Sequence, residues 1–294
     1  MKKQEIISFW KKLWILENDI LDIICKVTGL NQSQLFLVLE IDDKLIWKIE
    51  DFFMRSVSGE PIEYIIKKTN FYGLDFYVDS RILIPRDDTE IMVEQVLDYI
   101  PENTTLIDVW TGSSCIPISI LENIWNHEKN RILKTYVIDI SEKALQVSKI
   151  NIKKYLLDDK IKQLNWDLLN PILNNKFNKK DLENNNIIIT ANLPYIKNND
   201  FENMDEETFI FEPDLALYWW EKTGFELYEK LINQTIKLKE YLFKINNKTI
   251  EMILFIEIGF DQKEISIKFL KNLNLDFEIF KDNWGIDRCI KIYI

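Results

Sequence analysis

From Leu106 onward, short apolar runs alternate with amphipathic stretches of helical spacing, and this alternation narrows the possible folds more than any other feature of the chain. Thr105–Val109, Thr135–Ile138, Ile187–Thr190, Ile253–Ile258 and Cys289–Ile294 read as buried strands. Between them lie segments such as Glu142–Tyr155 and Phe225–Tyr241, whose apolar residues recur every three or four positions. Buried strands alternating with helices predict an α/β fold, with a mostly parallel sheet covered on both faces. Ligands of such a sheet bind beyond the carboxyl ends of its strands, which is where functional residues should be sought.

The first part of the chain follows another pattern. Up to residue 68 or so, apolar residues keep helical spacing through Ile6, Phe9, Trp10, Leu13 and Trp14, then Ile20, Leu21 and Ile24, then Ile46, Ile49 and Phe53. Asn31 and Ser33 are candidate helix starters, and Gly59-Glu60-Pro61 closes the module with turn chemistry. Phe71 to Val78 alternates around Gly73 as a short hairpin does, and it leads through Ile82–Glu90 into a helix carrying Val93, Val96 and Ile100. Residues 174–186 are polar and rich in Asn and Lys, as in a surface loop.

Composition removes several classes of function. There is no run of about 18 apolar residues, so no membrane-spanning helix is expected, and Met1-Lys2-Lys3-Gln4-Glu5 does not open a signal peptide. A cytoplasmic protein is the expectation. Cys25, Cys115 and Cys289 are far apart and His127 is the only histidine, which argues against a zinc site or a Cys–His nucleophile. A net charge of −11 argues against a broad grip on nucleic acid.

Three strand ends carry candidate chemistry. Asp108-Val109-Trp110-Thr111-Gly112-Ser113-Ser114 follows the first strand of the sheet, where small residues let backbone approach a ligand at a helix start. By itself such a turn is more often structural than functional. Asp139 ends the next strand, where an acid can accept hydrogen bonds from ribose hydroxyls, or act as a helix cap. Asn192-Leu193-Pro194-Tyr195 follows the buried strand Ile187–Thr190. A side-chain amide and a backbone carbonyl on a stiff turn can accept both N–H groups of a planar substrate nitrogen and so aim its lone pair. Pro194 stiffens that turn and Tyr195 offers a flat stacking surface.

With these residues in view, the chain resembles the bacterial glutamine methyltransferases that modify peptide chain release factors. The resemblance runs through Gly59-Glu60-Pro61-Ile62-Glu63-Tyr64, Phe71-Tyr72-Gly73-Leu74-Asp75-Phe76 and Leu83-Ile84-Pro85-Arg86-Asp87-Asp88-Thr89-Glu90. It continues through the Asp108 turn, Asp139-Ile140-Ser141, Asn192–Tyr195, Phe211-Glu212-Pro213 and Glu257-Ile258-Gly259. It implies a Rossmann-like, seven-stranded S-adenosylmethionine methyltransferase domain over 86–294, a hairpin linker over 69–85 and a helical substrate-recognition domain over 1–68.

The implied reaction, part of translation termination, moves the methyl group of S-adenosylmethionine to the side-chain amide of the glutamine in the release factor's Gly-Gly-Gln motif. In that reading Asp108, Trp110, Thr111, Gly112, Ser113 and Ser114 cradle the cofactor. Asp139 meets its ribose, and Asp167 and Leu168 flank its adenine. Asn192 and the Leu193 carbonyl accept the amide hydrogens, while Pro194, Tyr195, Arg86 and Glu90 face the substrate. No general base is required, because attack on a sulfonium depends chiefly on placement and desolvation. The partner implied is a class 1 release factor, and a monomer is expected.

Two departures from the family pattern keep other readings open. Leu193 stands where the family has proline, and Asn-Leu-Pro-Tyr is also similar to the motif of ribosomal RNA adenine dimethyltransferases. A nucleic-acid adenine methyltransferase, or an inactive protein retaining only the fold, are the alternatives. Trp110, Trp166, Trp219 and Trp220 stand where the family has glycine. The chain has 7 glycines and 9 tryptophans, against about 20 glycines at average usage. That pairing suggests UGA codons read as glycine in the source and rendered here as tryptophan. UGG codons at these positions would end the idea.

Overall fold

The computed structural model describes residues 1–13, 15–124, 132–170, 182, 186–196, 210–217, 223–246 and 250–294. Trp14, His127, Trp219, Trp220 and nearly all of the expected loop at 174–186 lie outside them.

The helical module comprises α1 (Lys3–Lys11), α2 (Glu17–Thr28), α3 (Gln32–Leu37), α4 (Asp43–Val57) and α5 (Ile62–Ile66). Asn31 starts α3 as expected: its side chain accepts from the Gln34 amide while the Gln34 side chain accepts from the Asn31 amide. Ser33 instead lies inside that helix. The module has its own core, with Ile20, Ile23, Ile24, Ile49 and Phe53 fully buried around Trp10. Gly59-Glu60-Pro61 ends α4 rather than the module, because the chain makes one more short helix, α5, after it.

The hairpin pairs β1 (Thr69–Phe71) with β2 (Leu74–Phe76) in antiparallel register, Phe71 opposite Leu74. Its two turn residues, Tyr72 and Gly73, both have positive φ, 51° and 72°, the geometry that matches strand twist in tight hairpins.

The remainder is a seven-stranded sheet ordered β5-β4-β3-β6-β7-β9-β8. Its strands are β3 (Thr104–Val109), β4 (Ile132–Asp139), β5 (Ile161–Asn165), β6 (Asn186–Ala191), β7 (Met252–Glu257), β8 (Asp276–Lys281) and β9 (Asp287–Tyr293). β3 to β7 run parallel, and β9 is antiparallel to both of its neighbours. The five expected strands are all present, and β5 and β8 at the two edges are additional. Neighbouring residues of the central strands face opposite sides and are buried on both: Ile107 and Ile189 in one core, Leu106 and Ile188 in the other. The described residues also form helices α6 (Glu90–Tyr99), α7 (Cys115–Ile124), α8 (Glu142–Lys154), α9 (Asp214–Leu217), α10 (Glu226–Asn246) and α11 (Lys263–Asn272). No helix among the described residues is long and apolar enough to cross a membrane.

The strand order reverses direction between β3 and β6, so the loops leaving these two strands diverge and open a crevice. The turn at 110–114 leaves β3, and Asn192 leaves β6 at that same crevice.

Candidate active site

The turn after β3 is held from below by a chain of buried hydroxyls. Asp108 Oδ2 accepts from Thr111 Oγ1 at 2.5 Å and Oδ1 from Thr190 Oγ1 at 2.6 Å. The Thr111 and Ser114 hydroxyls lie 3.1 Å apart, and Ser114 bonds to Ser148 at 2.6 Å. Asp108 and Ser114 are thus buried supports that shape the turn, whereas Trp110, Thr111, Gly112 and Ser113 line a cleft of about 690 Å³ counting its open mouth.

Asp139 stands across that cleft at the end of β4. Its Oδ2 accepts from the Gly112 amide at 3.0 Å and its Oδ1 from the Ser141 amide at 2.8 Å. The ribose-type and cap-type readings of this acid are therefore compatible: two backbone donors fix it, and carboxylate lone pairs remain. Ser141 itself caps α8, accepting from the Ala144 amide.

Asn192 forms the third wall, and its Nδ2 donates to Thr89 Oγ1 at 3.2 Å. Leu193 is buried and its backbone is bridged by one hydroxyl: its amide donates to Tyr228 at 3.0 Å, and Tyr228 donates to its carbonyl at 3.2 Å. One lone pair of that carbonyl is engaged, leaving a second. Pro194 is buried and Tyr195 half-buried beside Gly259.

Of the other candidate residues, Asp167, Leu168 and Glu90 are not in the lining of this cleft. Asp167 accepts from Lys230 at 2.6 Å and from Asn170 at 3.2 Å, and Leu168 is fully buried at a φ of 50°. Glu90 accepts from the Tyr72 amide at 2.6 Å and so ties the hairpin to α6. Arg86 does line the cleft, with its Nη2 2.8 Å from Glu212 Oε2. Motif reasoning assigned no role to Glu212, Thr89, Glu257 or Arg288, although three of them sit in the quoted blocks. Arg288 belongs to none, and nothing local signals it.

The cations around the cleft are each matched by acids. Arg81 pairs with Asp79, Arg86 with Glu212, and Arg288 with Asp88 and Asp282. A basic stripe beside Asn192, the feature a nucleic-acid substrate would need, is not formed among the described residues.

Trp110 has a φ of 67°, the left-handed region that favours glycine. Its indole is half-buried, packs on the core beside β3 and lines the cleft without closing it. Trp166 is also half-buried but is not among the positive-φ residues, so backbone conformation marks 110 and not 166 as a glycine position.

Burial shifts three carboxyls upward: Asp108 to about 7, Asp139 to about 6 and Glu257 to about 7, against the hydrogen bonds each receives. The unfolded chain releases these protons near pH 4, while the native protein holds them until about pH 6 to 7. The native state therefore binds more protons in that window, and stability falls as pH rises through it. We expect the urea midpoint at pH 5 to exceed that at pH 8 by the equivalent of at least about 1 kcal/mol. Asp108→Asn should shrink the difference, and equal midpoints for the unaltered protein would contradict the shifts.

No protein-family model matches the chain. Individual relatives do. The chain is 32% identical over 261 residues to the release factor glutamine methyltransferase of Mycoplasma mycoides subsp. mycoides, spanning 86% of this chain and 84% of that protein. It is 32% identical over 268 residues to that of Clostridium acetobutylicum (89% and 86%) and 31% identical over 248 residues to that of Staphylococcus aureus (84% and 80%). Among solved structures, the hMettl16 catalytic domain in complex with MAT2A 3′UTR hairpin 1 superposes with a TM-score of 0.52. That match has 13% identity over 87% of this chain and 82% of that one, a likeness of fold alone.

Proposed function

The chain belongs to the release factor glutamine methyltransferases, and from that premise we propose how its cleft carries the reaction. It is an S-adenosylmethionine-dependent methyltransferase whose substrate is a glutamine side chain of a peptide chain release factor. The observation that carries the assignment of the site is the meeting of three strand ends, those of β3, β4 and β6, at one crevice where the sheet reverses its order.

The residues fit a nucleoside cofactor in two respects. Asp139 is a buried acid with free lone pairs at the cleft wall, suited to ribose hydroxyls, and Ile116, Leu215 and Ala216 supply apolar surface. Trp110 adds an indole to the cleft wall at the turn where backbone approaches the ligand. When bound, the cofactor supplies a methyl group on a positively charged sulfur.

The rest is positioning. Asn192 presents its Oδ1 to one hydrogen of the substrate amide, and the remaining lone pair of the Leu193 carbonyl takes the other. Both acceptors ride on a turn stiffened by Pro194, so the nitrogen lone pair is held toward the methyl donor. Tyr195 gives the planar group a surface to lie against. The apolar walls keep water from competing for the methyl group. We assign residues 86–294 to catalysis, 69–85 to a linker and 1–68 to substrate recognition, the last supported by the exposed Phe36, Leu37, Leu39 and Trp47.

The deciding experiment follows labelled methyl from S-adenosylmethionine into a purified release factor, beside a factor whose Gly-Gly-Gln glutamine is replaced. The chain as written and its Trp110→Gly variant are both assayed. Label in the intact factor and none in the altered one is the expected result. Equal label in both would move the acceptor elsewhere on the factor.

A further inference from the structure

Glu257 ends β7, the strand beside β6, and is 3% exposed without lining the cleft. Ala191 pairs with Ile256 in parallel register, so Asn192 and Glu257 follow side by side, and the Thr89 hydroxyl and Asn192 amide both favour the ionised form of the carboxyl. Its Oε2 has no hydrogen-bond partner among the described residues. Arg288 lies nearby, yet its guanidinium is already engaged: Nη2 on Asp88 at 2.9 Å, Nε on Asp282 at 3.1 Å and Nη1 on the Ile258 carbonyl at 3.2 Å. The buried acid therefore faces Asn192 and Thr89 as acceptor to their donors.

This arrangement breaks the symmetry of the Asn192 amide. Oxygen and nitrogen of a side-chain amide occupy nearly the same space, and the surrounding hydrogen bonds decide which end points where. With Nδ2 directed at Thr89 and Glu257, Oδ1 is turned to the cleft. Above about pH 7, where Glu257 is ionised, the flipped amide would set Oδ1 against a buried carboxylate and leave Nδ2, a donor, facing a substrate nitrogen that offers only donors. An acceptor buried against an acceptor leaves both unsatisfied, which favours the orientation with Oδ1 toward the cleft.

We infer that Glu257, acting with Thr89, is a positioning residue that fixes the Asn192 amide with its oxygen toward the substrate. The inference rests on the role given to Asn192 above. Thr89 is the relay, since one hydroxyl can accept from Asn192 and donate to Glu257 at once. The placement also gives a buried acid with an unpartnered oxygen a task in this fold. A neutral apolar residue would pack there but would leave the Asn192 amide free to turn.

The test measures methyl transfer to a purified release factor by the full chain carrying Trp110→Gly, and by the same chain with Glu257→Met, Glu257→Gln or Asn192→Ala. Misaimed attack is expected to lower kcat of Glu257→Met about 10- to 100-fold, with the cofactor Kd changed less than about threefold. Glu257→Gln keeps an acceptor oxygen and should recover most of the lost kcat. If Glu257→Met keeps full kcat while Asn192→Ala loses it, the inference alone is overturned. If Asn192→Ala keeps full kcat, the reading of Asn192 falls and this one with it. Loss of cofactor binding in Glu257→Met, or a Gln variant no better than Met, would mark a packing role and also overturn it.

Discussion

Replacing Trp110 by glycine is expected to tighten S-adenosylmethionine binding at least about tenfold, roughly 1.4 kcal/mol. One effect acts on stability and a second on binding. At a φ of 67° a residue with a side chain is strained, by about 1–2 kcal/mol, whereas glycine adopts that conformation freely. The indole also lines the cleft beside Gly112 and Asp139, where the turn and the strand-end acid close on the ligand. Opposing the first is the packing of the indole on the core beside β3, so the variant's own stability should change little. Titration calorimetry of the two proteins at one ionic strength checks the expectation, and equal affinities would contradict it. Trp166→Gly is the internal control, because Trp166 carries no positive φ and lies outside the cleft lining. A UGA codon at 110 would make glycine the native residue there. A UGG codon would leave the chain a family member with a crowded cofactor site.

Asn192→Ala is expected to lower kcat for methyl transfer by about 100- to 1,000-fold, the usual cost of removing one preorganised polar group from a reacting centre. Cofactor affinity should stay within a few-fold, since the proposed role of Asn192 is to hold the substrate amide. Asn192→Asp makes a sharper comparison. Its carboxylate would face Glu257, a buried acid already shifted upward to about 7 by burial, and two acids there cannot both ionise. That variant should lose activity and should also titrate abnormally. Wild-type kcat in Asn192→Ala, measured by single turnover to separate chemistry from release, would remove Asn192 from the mechanism.

Part of this molecule was legible along the chain. The alternation of strands and helices, the hairpin at Tyr72–Gly73, the cap at Asn31 and the turn after β3 all depend on neighbours within a few residues. Each is set by side-chain period, by tolerance for positive φ or by a local hydrogen bond. The strands β5 and β8 escaped because they are edges. Most of their residues are exposed, as in Glu278, or half-buried, as in Ile279, and the mixed polarity carries no apolar run.

The partners of the acids were decided only by tertiary structure. Asp108 reads as a cofactor residue in sequence, and the fold adds a second partner to it, because β6 delivers Thr190 to its other oxygen across 82 residues. Glu90 reads as substrate-facing in sequence, and the fold also makes it secure the hairpin through Tyr72. Glu257 meets Asn192 because a crossover places β7 beside β6, and Arg288 reaches the same spot from an antiparallel strand. Local propensity specifies each element. Which elements become neighbours is decided by burying both faces of one sheet, and the partners of a buried charge follow from that adjacency.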